Sequence, residues 1–175
     1  IVDPSRTGAG TTATGPSLIP SARIQEMTPA SPSSSVDERY LRSAAIVDQQ
    51  RINRCPVAIV GVGAIGSHLA EMLAKLGVRR FTLIDPDEVD TINLGSQGFY
   101  EKDVGRFKTD AVRERLLAIR SDLEVETWPE IYRPEIIQPA SVVISCVDAI
   151  KVRRQIFRDF RERNWPLMLD GRMAA

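Results

Sequence analysis

Apolar residues are sparse and without period through residues 1–35, and from Val36 onward they fall into two repeating patterns. PVAIV at 56–60 is an uninterrupted apolar run, which suits a strand buried on both faces. RFTLID at 80–85 reads as a second strand, LEVETW at 123–128 alternates as a half-buried strand does, and SVVISC at 141–146 reads as another buried one. PLMLD at 166–170 starts a fifth. Between them the period lengthens to that of a helix. One helix is expected over Asp37 to Arg51, carrying ERYLR at 38–42. A second runs from Ala64 to Leu76 with Ile65, Leu69, Met72, Leu73 and Leu76 on one stripe, and Gly77 is placed to end it. A third spans Lys108 to Arg120 around Val112, Leu116 and Ile119. A fourth, at 149–163, turns Val152, Ile156 and Phe160 inward. Pro86 to about Arg106 is irregular and Gly-rich.

Strands alternating with helices predict a mostly parallel sheet covered on both faces. The right-handed crossover rule gives the strand order 3-2-1-4-5. Nothing after Ala175 covers the fifth strand, so the expectation is a doubly wound fold cut short after it. Residues 1–35 hold 24 Pro, Ser, Thr, Gly or Ala and no aromatic residue. Too little apolar surface is available there to offset backbone entropy, and the segment reads as a flexible linker or tail ahead of one domain at 36–175. The chain starts at Ile1 rather than at a methionine.

Composition narrows the function classes. With 23 basic and 23 acidic side chains, no whole-chain field points to nucleic acid or membrane. No run of apolar residues is long enough to span a bilayer, and the first 20 residues lack the apolar stretch of a secretory signal. Two cysteines, Cys55 and Cys146, make neither a disulfide framework nor a zinc site, and a reducing cytoplasm fits best.

The chemistry begins with GVGAIG at 61–66, which sets Gly61, Gly63 and Gly66 between a strand and a helix. Glycines there permit a tight turn, close approach of phosphate to backbone, and close packing of helix on strand. The helix start offers free N–H groups to an anion. Asp85 follows at the end of the next strand, at the spacing that puts a carboxylate over ribose hydroxyls. The fold class expected is therefore a Rossmann-like α/β domain that binds a nucleotide, with NAD and ATP both open at this point.

The segment DPDEVDTINLGSQGF at 85–99 reads D-x-D-x-V-x-x-x-N-L-x-x-Q. With RYLR at 39–42, DVGRFKTDA at 103–111 and ISCVDAIKVRRQI at 144–156, it resembles the ThiF/MoeB/ubiquitin-activating family of adenylyltransferases. That resemblance implies ATP- and magnesium-dependent adenylation of the C-terminal carboxylate of a ubiquitin-like or sulfur-carrier protein ending in Gly-Gly. It implies a homodimer or pseudo-dimer in which Arg42 enters the neighbouring subunit's site. Lys108 matches the lysine that reaches the phosphates, Asp148 the magnesium-associated aspartate, and Asp87, Asn93 and Gln97 polar positions lining the nucleotide. From the residues alone, Asp148 could equally cap the helix that follows, and Asn93 could serve its own loop.

One position departs from the pattern: Ser96 stands where the family has an arginine. Either another arginine substitutes, with Arg106 expected ahead of Arg172, or the activity is altered or lost. A degenerate, non-catalytic relative that binds nucleotide or a partner is thus one alternative. An NAD-dependent oxidoreductase domain is another, although it leaves Asn93, Gln97, Lys108 and Asp148 unexplained as a group. Cys146 reads as a small buried core residue and His68 as a helix-surface residue. The helix at 149–163 carries six basic and two acidic residues, a solvated face that could also dock an acidic partner.

Overall fold

The computed structural model describes residues 37–43, 45–138 and 141–171. The expected tail at 1–35 and Arg172 lie outside the described residues. Five parallel strands, β1 (Pro56–Val60), β2 (Arg80–Ile84), β3 (Glu124–Trp128), β4 (Val142–Ser145) and β5 (Leu167–Asp170), form one sheet in the order β3-β2-β1-β4-β5. The apolar run of β1 lies at the centre because both its edges are paired: Val60 faces Ile84 of β2 on one side and Ser145 of β4 on the other.

Four α-helices are present among the described residues: α1 (Gln49–Arg54), α2 (Ala64–Leu76), α3 (Lys108–Ile119) and α4 (Ile150–Arg163). One face of the sheet packs Val57, Ile59, Phe81 and Leu83 against Ala70 and Ala74 of α2 and Val112 and Leu116 of α3. On the other face Ala58, Val60, Ile84 and Val143 meet Ile156 of α4, Trp165, and the segment carrying Tyr132 and Ile136. Ile59 and Leu83 are fully buried, and each such side chain contributes roughly 1.5–3 kcal/mol relative to exposure.

Two expectations need correction. The helix over Asp37 to Arg51 is not continuous. A single 3-10 turn at Glu38–Tyr40 is followed by turns, and α1 begins only at Gln49. Local side-chain bonds interrupt it: Ser43 Oγ donates to the Tyr40 carbonyl, and Asp48, extended, caps α1 by accepting from the Arg51 N–H. On α2, the buried seam is Gly66, Ser67, Ala70 and Ala74, whereas Met72 is 66% exposed. Small residues let the helix lie close to the sheet, so the bulkier apolar ones flank the contact. The end of α2 is as expected, with Gly77 as a left-handed C-cap.

Candidate functional site

The glycine loop opens at the carboxyl end of β1. The Gly61 N–H donates to the Ile84 carbonyl at 2.8 Å, and the backbone there turns with φ of 89°. A Cβ on Gly61 would stand 2.8 Å from the Cys146 carbonyl carbon, and one on Gly66 only 1.9 Å from the Gly61 carbonyl oxygen. The first turn of α2 therefore rests on the loop backbone itself. Gly63 differs, because a Cβ there would meet nothing nearer than the Gln97 amide oxygen at 3.5 Å. That oxygen, Oε1, is buried without a hydrogen-bond partner. A buried acceptor with no donor is uncommon in proteins, and a ligand donor at Gly63 would satisfy it.

Asp85 faces the same loop. Its Oδ2 accepts from the Val62 N–H at 2.8 Å and its Oδ1 from the Asp87 N–H at 2.9 Å. Burial pushes its carboxyl above the usual range, and the two backbone donors pull the other way. Each oxygen keeps a further lone pair for a hydroxyl, but its visible work is to fix the loop. From Asp87 the chain runs on to Lys108: the two segments meet through an antiparallel bridge of Glu88 with Phe107, and Lys108 N–H donates to the Asp87 carbonyl at 2.9 Å. The Lys108 ammonium then donates to Asp87 Oδ2 at 2.8 Å. Lys108 is buried along its stem, and Asp87 is open to solvent. A cation on the first residue of a helix opposes the helix dipole, and Asp87 offsets part of that cost. Gly63, Gln97, Asp85, Asp87 and Lys108 are thereby linked at one end of the sheet.

The remaining expected residues divide. Asn93, in the 3-10 turn Thr91–Gly95, accepts from the Asp90 N–H through its side-chain oxygen at 2.9 Å, which is loop chemistry. Asp148 lies exposed in the bend after β4, where doubly wound sheets place ligands. It does not cap α4; Ala149 holds that position. Its carboxylate makes no hydrogen bond or ion pair among the described residues. Magnesium takes one or two protein carboxylates together with substrate phosphates, so a lone free aspartate at this edge fits it. No cluster of three potential metal ligands exists among the described residues.

Arg42 is exposed. The neighbouring Tyr40 is buried, and its hydroxyl accepts from Arg120, the C-cap of α3, at 2.5 Å. Lys108 is at the other end of that helix, about 18 Å away for its twelve residues. Ser96 is exposed at the end of its turn. Arg106, the expected substitute for the absent arginine, is engaged elsewhere. It pairs with Glu114 at 2.7 Å and approaches Asp103 at 3.4 Å, and Lys102 and Arg106 together hold the Glu114 carboxyl down to about 2. Cys146, expected as a buried core residue, is half-buried and packs against the edge of the core; burial pushes its thiol up to about 11, against the pull of Arg153. His68 is exposed on α2, as expected.

Sequence reasoning missed Arg115. Its guanidinium lies 2.7 Å from Glu71 of α2, 3.9 Å from the buried Asp103, and 5.1 Å from the centre of the Phe99 ring. It locks the segment that delivers Lys108 onto both helices. The signal was available: a charged residue on the inward stripe of α3, between Val112 and Leu116.

A sequence profile of the ThiF family matches residues 38–170. Ubiquitin-like modifier-activating enzyme 5 of Drosophila melanogaster is 33% identical over 139 residues, which are 70% of this chain and 34% of that enzyme. Among solved structures, Escherichia coli MccB has been determined with ATP and is 25% identical, with a TM-score of 0.69 over 77% of this chain and 44% of MccB. The E. coli tRNA N6-threonylcarbamoyladenosine dehydratase TcdA in complex with ATP has a TM-score of 0.65 at 23% identity, over 72% of this chain and 56% of TcdA, a likeness of fold. The chain thus spans about a third of the length of the curated relatives it matches.

Proposed function

The chain belongs to the ThiF family, and on that premise we propose that it is the nucleotide-binding part of an enzyme that adenylates a C-terminal carboxylate with ATP and magnesium. The observation that carries the reading is the continuous link from the glycine loop through Asp85 and Asp87 to the Lys108 ammonium. It puts a cation and the free N–H groups of a helix start at one end of the sheet, beside an acceptor on Gln97 that lacks a donor. A nicotinamide cofactor brings only a diphosphate bridge to such a loop, whereas a triphosphate brings further charge for the Lys108 cation to meet.

Bound ATP supplies the α-phosphate that becomes joined to the carboxylate, and pyrophosphate departs. This chain's residues bind and orient. The Gly61–Gly66 loop accepts the phosphates against its backbone, Asp85 and Gln97 hold the nucleoside, and Lys108 counters phosphate charge, exchanging Asp87 for the ligand. Asn93 keeps the loop that carries Gln97 in shape, and Asp148 would hold magnesium. The substrate is a ubiquitin-like or sulfur-carrier protein ending in Gly-Gly. Two copies associate, and Arg42, exposed in its own subunit, serves the site of the other. Two free thiols suit a reducing compartment such as the cytoplasm, and no described helix is long and apolar enough to cross a membrane.

One observation favours a second reading. Ser96 brings no charge, and Arg106 is held by Glu114. A site short of one cation would bind nucleotide and turn over slowly, as a non-catalytic or partner-dependent subunit does. Exchange of labelled pyrophosphate into ATP, measured with Gly-Gly-tailed carriers, separates the two. Carrier-dependent exchange is expected; ATP binding without any exchange favours the second reading, and tighter binding of NAD than of ATP refutes both.

A further inference from the structure

The single histidine of the chain stands next to the loop that bears the unsatisfied Gln97 oxygen. The Ser67 hydroxyl, fully buried on α2, accepts from the Gly98 N–H at 3.1 Å and ties that loop to the helix one residue past Gln97. A Cβ on Gly98 would lie 3.0 Å from the Ser67 hydroxyl oxygen, 3.2 Å from His68 Cε1 and 3.4 Å from His68 Nδ1. Gly98 is not one of the glycines with positive φ, so no left-handed backbone requires glycine at this position. What leaves no room for a side chain is the closeness of Ser67 and of the imidazole. The loop is bare where His68 crosses it.

Helix geometry carries the ring toward the glycine loop. Side chains on a helix lean back toward its N-terminus, so His68, in the second turn of α2, covers the first turn rather than the one that follows. Gly63 is the N-cap of that first turn, and a Cβ on it would face the Gln97 amide at 3.5 Å. Gly63, Gln97, Gly98 and His68 therefore follow one another around the start of α2. The imidazole is exposed and makes no hydrogen bond or ion pair among the described residues. The acidic residue nearest to it along the helix, Glu71, is paired with Arg115. Of the side chains linked at this end of the sheet, Lys108 alone is a cation, and it is shared with the Asp87 carboxylate. A triphosphate brings several negative charges, and one shared ammonium does not meet them all.

We propose that His68 is a further binding residue of this site, donating a hydrogen bond to the phosphates of ATP beyond the first and so to the pyrophosphate that leaves. The inference rests on the ATP reading above. A neutral imidazole has one N–H to give and a protonated one has two, so the contact does not require a charged ring, and a charged ring strengthens it. AMP ends at the first phosphate and does not reach the imidazole.

Because the chain has one histidine, His68 gives the only histidine signals in a 1H–13C NMR spectrum of the 175-residue protein. These should move on titration with ATP and stay in place with AMP. In calorimetric titration His68→Ala should weaken ATP at least about fivefold and AMP less than about twofold. Met72→Ala, an exposed position one turn further along α2, should change neither by as much as twofold. Circular dichroism checks that each variant is folded, and the NMR arm tests the contact without altering the protein. Histidine signals that ignore ATP, or that move equally with AMP, overturn the inference, as does an equal loss of ATP and AMP affinity in His68→Ala. Lys108→Ala separates this failure from that of the underlying reading. If Lys108→Ala weakens ATP and His68→Ala does not, the inference alone falls. If the unaltered chain binds no ATP, the nucleotide reading falls and the inference with it.

Discussion

Replacing Gly66 by alanine tests the seating of α2 on the glycine loop, because two opposing effects give different signs. In a helix interior alanine is favoured over glycine by up to about 1 kcal/mol, so without a clash the variant would be more stable. The structure sets the new Cβ 1.9 Å from the Gly61 carbonyl oxygen, where an ordinary carbon–oxygen contact needs about 3.3–3.6 Å. Roughly 1.5 Å must then be recovered by moving backbone against backbone, with no side-chain rotation able to relieve it. Overpacking of this kind costs about 1–3 kcal/mol, and the rigidity of both partners argues for the upper end. Gly95→Ala is the control, since a Cβ there meets nothing within 4 Å. Urea unfolding followed by Trp128 and Trp165 fluorescence should show Gly66→Ala losing about 3 kcal/mol and Gly95→Ala staying within about 0.5 kcal/mol. A Gly66→Ala chain as stable as the parent, or more stable, would refute the close packing of helix and loop.

Other outcomes follow from the same geometry. Lys108→Ala should weaken ATP at least about tenfold more than AMP in calorimetric titration, because the phosphates beyond the first are what its charge is placed to meet; equal losses would remove it from the phosphate site. Arg106→Ala should leave ATP affinity within about threefold, being tied to Glu114 rather than to the loop, while NMR titration shows the Glu114 carboxyl rising only part of the way from about 2, because Lys102 still holds it down. A large loss of ATP affinity would restore Arg106 as the missing cation. Ser96→Arg should strengthen ATP binding or speed adenylation about tenfold or more if the site lacks a charge, and no change would mean that it lacks none. With the Cys146 thiol raised to about 11 from 9, the folded state holds its proton longer than the unfolded one. Stability from this group is therefore complete below pH 9 and falls as pH climbs toward 11. At pH 8.5 roughly one Cys146 in three hundred is thiolate, so alkylation followed by mass spectrometry should find it labelled slowly until urea is added.

The centre of the fold was legible because its signals are local. The β1 run, the GVGAIG turn, the following helix and its Gly77 end depend on neighbours within a few residues. The 3-2-1-4-5 order is not local, but it follows from the alternation of strands and helices once the crossover hand is fixed. The extended helix at 37–51 failed because an apolar period takes no account of the Ser43 and Asp48 side-chain bonds that compete with the helix, nor of the hold on Tyr40 by Arg120, far along the chain. Burial on α2 went wrong because the rule followed bulk, whereas a helix lying on a glycine loop selects Ser67, Ala70 and Ala74. At the site, Asp87 and Lys108, both selected as polar neighbours of a ligand, are paired with each other. Arg106 was favoured for its closeness in sequence to Lys108. The chain turns at Phe107, and two residues suffice to send the guanidinium toward Glu114 on the outer side of α3.

The placement of β1 also has a temporal side. It is the first strand of the sheet to leave the ribosome, yet it ends at the centre, with Val57 beside Val142 and Val60 beside Ser145. About 85 residues must be made before that edge finds its partner, on the order of 4–17 s at 5–20 residues per second. The β3-β2-β1 half can assemble meanwhile, with the unpaired edge of its most apolar strand facing solvent. Slowed synthesis between residues 60 and 142 would lengthen that exposure without altering a single contact of the finished domain. Yield in the cell would then respond to the pace of translation as well as to the stability of the product.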